Sequence, residues 1–207
     1  MYPEHRMAPE KTIDLDRTVC VYCASSRQCH PQYHSAARRL GEALAQARFT
    51  IVYGGGGAGS MGALADGALG RGGQVIGILP RFMQVLEWGH QGLTELELVE
   101  DMRERKHRML QRSRGVVALP GGSGTLEELL EAITLKRLGL YLHPIVLVNT
   151  RQFFDPLVQL LSSAIAERFM DARHEAMWQV VAEPEEVVSA LATAPAWSPE
   201  AQKFAAL

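Results

Sequence analysis

The stretch GVVALPGGSGTLEE, residues 115–128, decides the fold. Residues 115–119 are a short apolar run that reads as a buried strand. A proline and three glycines stop it. Residues 125–138 then take up a helical period, with Leu126, Leu129, Leu130 and Ile133 on one face. The same unit occurs upstream: the strand-like FTIVY at 49–53 runs into four glycines at 54–57, and a helix of small residues follows to about position 70. Working outward, residues 18–23, 74–79, 96–99, 145–149 and 180–181 read as further strands. Residues 31–47, 102–112, 153–168 and 184–192 read as helices. The strands are continuous apolar runs, so both of their faces are covered, and strands interleaved with helices give parallel βαβ units. The expectation is an α/β protein: a single doubly wound Rossmann-like domain over 17–193, its sheet mostly parallel, with helices on both faces. Residues 1–16 and 194–207 read as tails. Ligands in such folds sit outside the carboxyl ends of the strands.

Composition narrows the function. The chain has 207 residues, of which 47% are hydrophobic and 21% charged, a globular balance. Its 21 Lys+Arg against 23 Asp+Glu leave a net charge of -2, so no nucleic acid partner is expected. No apolar run is long enough for a membrane span, and the polar start lacks a secretory core. Three cysteines fit a cytoplasmic setting better than a disulfide scaffold. Cys20 and Cys23 form a C-x-x-C, but positions three apart on a strand face opposite ways and cannot chelate one ion. The histidines show no H-E-x-x-H pattern, so no metal site is expected.

Two glycine loops end strands and open helices. The first contains a G-x-G-x-x-G at Gly57, Gly59 and Gly62. A dinucleotide fingerprint also needs an acid at the end of the next strand, yet GILP at 77–80 has none before Glu87. Tight helix–strand packing is the alternative use of these glycines. The second loop, Pro120 to Thr125, places bare amides at a helix start, with the Thr125 hydroxyl beside them, which suits a phosphate monoester. No lysine follows, so it is not a triphosphate-binding Walker loop. Thr125 and Glu128 alone also fit a capping box. Glu128 lies one turn into the helix on the side of Thr125, where the helix terminus favours an ionised carboxylate. The run Asp101 to Arg108 reads either as a solvated charged face or as a source of cations for the phosphate site.

The segment PGGSGTLEE, residues 120–128, resembles the P-G-G-x-G-T-x-x-E signature of the Lonely Guy (LOG) family, often mislabelled lysine decarboxylase. Other blocks similar to the family follow in order: VYCASS at 21–26, the 54–62 loop, VIGILP at 75–80 and MRERK at 102–106. The resemblance covers about 19–192. It implies a phosphoribohydrolase that cleaves the N-glycosidic bond of cytokinin riboside 5′-monophosphates, or of AMP, to free base and ribose 5-phosphate. It implies a catalytic pair at Arg105 and Glu128. Substrate contacts are implied at Lys106, Gly121, Gly122, Ser123, Gly124, Thr125, Glu87 and Thr134, with Ser25 nearby; Gly55 and Gly56 of the first loop are further candidates. The partner is a purine nucleoside 5′-monophosphate, no cofactor is expected, and the assembly is a homodimer or sometimes a hexamer. Ala24, Arg103 and Ser60 depart from the family's usual Gly, His and Leu, and a glycine is usual near Cys29. The alternative is a non-catalytic nucleotide or molybdenum-cofactor carrier, which needs no Arg105/Glu128 pair. A pyridoxal phosphate decarboxylase lacks an evident Schiff-base lysine.

Overall fold

Alternation in one central strand shows how so short a chain builds a core on two sides. In β1 (Thr18–Tyr22), Cys20 and Tyr22 enter one apolar cluster while Val19 and Val21 enter another. Cys23 joins the second cluster, so Cys20 and Cys23 lie on opposite faces, as the strand period requires. The computed structural model describes residues 13–84 and 89–205. Next to β1 on one side lie β2 (Thr50–Tyr53), β3 (Gln74–Pro80) and β4 (Glu95–Val99). On the other lie β5 (Val116–Ala118), β6 (Ile145–Val148) and β7 (Gln179–Val181). All six pairings are parallel. The helices are α1 (Pro31–Gln46), α2 (Gly59–Gly70), α3 (Met102–Gln111), α4 (Ser123–Arg137), α5 (Asp155–Ala166) and α6 (Val187–Thr193). The first two and the last cover one face, and α3 to α5 cover the other.

The chain works outward from β1 to β4, then returns across β1 to start β5. This reversal opens a crevice at the carboxyl ends of β1 and β5, where both of their loops turn away from the sheet.

Three expectations change. Along α4 the buried face is Thr125, Glu128, Leu129, Ala132, Ile133 and Lys136, while Leu130 is 40% exposed. The sheet draws the polar residues inward because they serve a site and a brace, not only a core. Of the expected N-terminal tail, Ile13 packs on the core and Asp14 caps a 3₁₀ turn over Leu15–Arg17. The expected C-terminal tail is folded over 194–205. Trp197 Nε1 donates to the Lys136 carbonyl at 2.7 Å, Arg137 Nη2 donates to the Ala205 carbonyl at 2.6 Å, and Ala201 is buried. Beneath this brace Lys136 is itself buried, its ammonium donating to the His143 carbonyl at 2.8 Å, and burial pushes its pKa down to about 8. No helix among the described residues is long and apolar enough to cross a membrane.

Helices α1 and α2 touch backbone to backbone. A Cβ on Gly41 would lie 2.2 Å from the Leu64 carbonyl oxygen, and one on Gly67 would lie 2.2 Å from that of Arg38. Alanine is the better helix former by roughly 1 kcal/mol, but here it must force two backbones apart, at a cost of about 1–3 kcal/mol or more. Gly41→Ala is therefore expected to lower stability in urea unfolding, and Gly41→Ala/Gly67→Ala to lower it further.

Candidate active site

Gly122 caps α4 in an extended conformation (φ -82°, ψ -162°), so the helix opens at Ser123, two residues earlier than its apolar period suggests. Thr125 is then the third helical residue and not the cap, which removes the capping-box reading. Among the described residues no side chain caps this terminus. The first-turn amides of Ser123, Gly124 and Thr125 have no acceptor within the helix, and the dipole of fifteen residues adds positive potential there. Gly121 is required by crowding, because a Cβ on it would lie 2.2 Å from Thr125 Oγ1.

One turn further, Glu128 meets Arg105 of α3. Arg105 Nη1 donates to Glu128 Oε1 at 3.3 Å, and the two residues are 4% and 5% exposed. Arg105 is fixed from behind: Nε donates to the Ile78 carbonyl at 3.1 Å and Nη2 to the Gly54 carbonyl at 3.4 Å. Gly54 leaves the room, since a Cβ there would lie 2.0 Å from Nη2. Thus the end of β2, the end of β3 and α3 together aim one guanidinium at one carboxylate. Burial pushes the Glu128 pKa up to about 7, and Arg105 offsets only part of this. The sequence suggested a carboxylate held ionised by the helix terminus; desolvation overrides that.

Both features line one pocket of about 320 Å³. Ser25 and Ser26 from the loop after β1, Gly122, Ser123, Gly124 and Thr125, and the Arg105–Glu128 pair share its wall. Met61, Met83 and Met102 complete it with flexible apolar side chains. Sequence reading missed these methionines, although Met102 stands three residues before Arg105 on α3, the spacing of helix neighbours. Among the described residues the lining holds no lysine and no group of metal ligands is present.

The first glycine loop plays another part. Gly59 has φ +58°, and a Cβ on it would lie 2.4 Å from the Ser26 carbonyl oxygen. Met61 N donates to the Ala24 carbonyl at 3.1 Å. These glycines press α2 against the 24–26 loop and so set the pocket wall. Gly55 (φ +81°) lies beside Gly77, and Gly56 pairs with Gly89 in an antiparallel bridge, both away from the pocket lining.

The family described as "Possible lysine decarboxylase" matches residues 61–191. The cytokinin riboside 5′-monophosphate phosphoribohydrolase of Rhodococcoides fascians is 39% identical over 155 residues, 74% of this chain and 78% of that one. The Arabidopsis thaliana protein of that name, LOG7, is 37% identical over 161 residues, 78% of this chain and 74% of its own. The chain belongs to the LOG family. In three dimensions it is similar to the molybdenum cofactor carrier protein of Chlamydomonas reinhardtii (TM-score 0.67, 20% identity, 86% of this chain and 96% of that one). It is also similar to the molybdenum cofactor binding protein of Rippkaea orientalis (TM-score 0.64, 21% identity, 84% and 94%). At such identities these two show the doubly wound fold alone.

Of the residues that the LOG resemblance singles out, the structure gathers Arg105, Glu128, Ser25, Gly122, Ser123, Gly124 and Thr125 around one pocket, with Gly121 directly behind Thr125. Lys106 lies outside the lining and pairs with Glu127 and Glu131. Thr134 is on the exposed side of α4, its hydroxyl donating to the Leu130 carbonyl at 2.8 Å. Glu87 lies outside the described residues. Among the departures from the LOG pattern, Ala24 lines the pocket, Arg103 is exposed, and Ser60 is buried with no partner for its hydroxyl among the described residues. The Cys29 thiol lies 3.1 Å from His34 Nε2.

The raised Glu128 pKa makes stability depend on pH. Below the ordinary value of 4.5 both folded and unfolded chains hold the proton, and burial of a neutral acid costs little. As pH rises from there to about 7 only the unfolded chain ionises freely, so folding loses stability until the folded group ionises too. Glu128→Gln is therefore expected to gain on the wild type between pH 4 and pH 8, by about 3 kcal/mol at 1.36 kcal/mol per pH unit. Urea midpoints at both pH values check this; a difference independent of pH would contradict the raised pKa.

Proposed function

We propose that the chain hydrolyses the N-glycosidic bond of purine nucleoside 5′-monophosphates, both cytokinin riboside 5′-monophosphates and AMP, to release the free base and ribose 5-phosphate. The observation that carries this is the position of a buried Arg105–Glu128 pair one helical turn from the uncapped start of α4, in one pocket. Relatives at 37–39% identity are named cytokinin riboside 5′-monophosphate phosphoribohydrolases, which supports this reading.

The amides of Ser123, Gly124 and Thr125 receive the 5′-phosphate, with the Thr125 hydroxyl as a further donor. The ribose then lies over Glu128. As C1′–N9 stretches, the sugar gains oxocarbenium character, and the ionised carboxylate stabilises that charge. Water attacks C1′ and gives its proton to Glu128, while the base departs with the bonding pair and takes a proton from solvent. Arg105 orients Glu128 and supports the departing base. The methionines offer a polarisable wall without hydrogen-bond demands, which suits a flat base with or without an apolar substituent. No step calls for a cofactor.

A carrier protein on this fold would only need to hold its ligand. Burying two opposite charges beside that ligand costs several kcal/mol of desolvation for each ion, which favours the catalytic reading. Three cysteines without a disulfide fit the cytoplasm. We infer a homodimer that covers the exposed Leu130, Leu160 and Phe169, with twice the 22.8 kDa chain mass in light scattering.

Purified protein incubated with AMP or isopentenyladenosine monophosphate is expected to release free base, and adenosine far less. Equal turnover of nucleoside and nucleotide would contradict the phosphate seat. Glu128→Ala is expected to lower kcat at least ~100-fold, the low end for a lost acid–base group. In the wild type, kcat/KM is expected to rise with pH through about 7 as Glu128 ionises.

A further inference from the structure

Three carboxylates crowd the second turn of α4: Glu127, Glu128 and Glu131. Glu127 and Glu131 are i, i+4 neighbours of like charge, an arrangement that destabilises a helix unless it is neutralised. Lys106, directly after Arg105 on α3, reaches both. Its Nζ lies 2.5 Å from Glu127 Oε1 and 3.0 Å from Glu131 Oε2. Its side chain is only 15% exposed, so this cation is committed to the pair and not free in solvent. It does not line the pocket.

We propose that Lys106 is a positioning residue that screens Glu128 from its two flanking carboxylates, leaving Glu128 as the one anionic group, among the described residues, presented to the sugar. This rests on the phosphoribohydrolase reading of the site. The groups facing Glu128 set the balance. Arg105 and Lys106 from α3 favour its ionised form, and Glu127 and Glu131 from its own helix oppose it. Beneath it, Cys20 and Tyr22 of β1 are buried, with proton affinities raised well above normal, so both stay neutral. Removal of Lys106 withdraws a favourable charge and unmasks two unfavourable ones. Both changes act in the same direction.

The test follows the Glu128 carboxyl directly by ¹³C NMR titration of glutamate-labelled protein, the signal assigned by its loss in Glu128→Gln. The wild-type midpoint is expected near 7. Lys106→Met is expected to raise it by roughly half to one pH unit, in line with loss of a nearby opposite charge. Lys106→Arg is expected to hold the wild-type midpoint. Lys106→Met/Glu127→Gln/Glu131→Gln is expected to bring it back, which a merely structural lysine would not do. The kcat/KM limb for AMP moves with the midpoint, and KM stays within about twofold. An unmoved midpoint in Lys106→Met overturns the proposal, and a tenfold rise in KM alongside it marks Lys106 as a direct substrate contact instead. If Lys106→Met does not fold, Lys106→Gln takes the same measurement. The titration needs no turnover, so an inactive wild type would sink the phosphoribohydrolase reading while the midpoints still judge the charge balance.

Discussion

A guanidinium and a carboxylate shut away from water constrain everything around them. Arg105 and Glu128 each lose their hydration on folding, and Arg105 offsets part of what burial costs the carboxylate. The pair stays in place because two main-chain carbonyls, from Ile78 and Gly54, hold the guanidinium from behind. Gly54 follows the end of β2 at Tyr53, and Ile78 lies just past the last β2–β3 pair, Tyr53 with Gly77, so on that side no strand stands between these carbonyls and the guanidinium. The site is therefore less a set of side chains than the place where three strand ends and one helix start run out of internal partners.

Much of this was legible in the sequence, and the reasons are local. Continuous apolar runs give the strands, glycine clusters mark where they stop, and the strand at 115–119 followed by PGGSGT fixes the loop that opens α4. Glu128 was legible because helix geometry places it one turn beyond Thr125. The start of α4 was misread, because Ser123 and Gly124 have no apolar character to reveal that they are already helical. Leu130 was misread for the opposite reason: its hydrophobicity fits the stripe, but the sheet takes Lys136 and Glu128 instead. The methionines and the Lys106 bridge depend on pairing between elements far apart in the chain, and a single sequence carries no direct sign of it.

The similarity to molybdenum cofactor carriers and the membership of the LOG family are compatible. The first follows from a doubly wound sheet whose strand order reverses beside β1, and the second from sequence identity over most of the chain. That reversal creates a crevice with helix termini at its edge, which is a general place for anionic ligands. What the crevice does to its ligand depends on which side chains are placed one turn deeper, and here an acid and a base of unlike charge stand there.

The folded 194–205 segment bears on that crevice from a distance. It grips α4 at Lys136 and Arg137, the end opposite the pocket. A helix is a stiff rod, and fifteen residues span roughly 22 Å at 1.5 Å each. Clamping the far end of such a lever limits how far the near end can swing. The stiffness of the first turn of α4 is thus partly set by a tryptophan and a few alanines that never approach it.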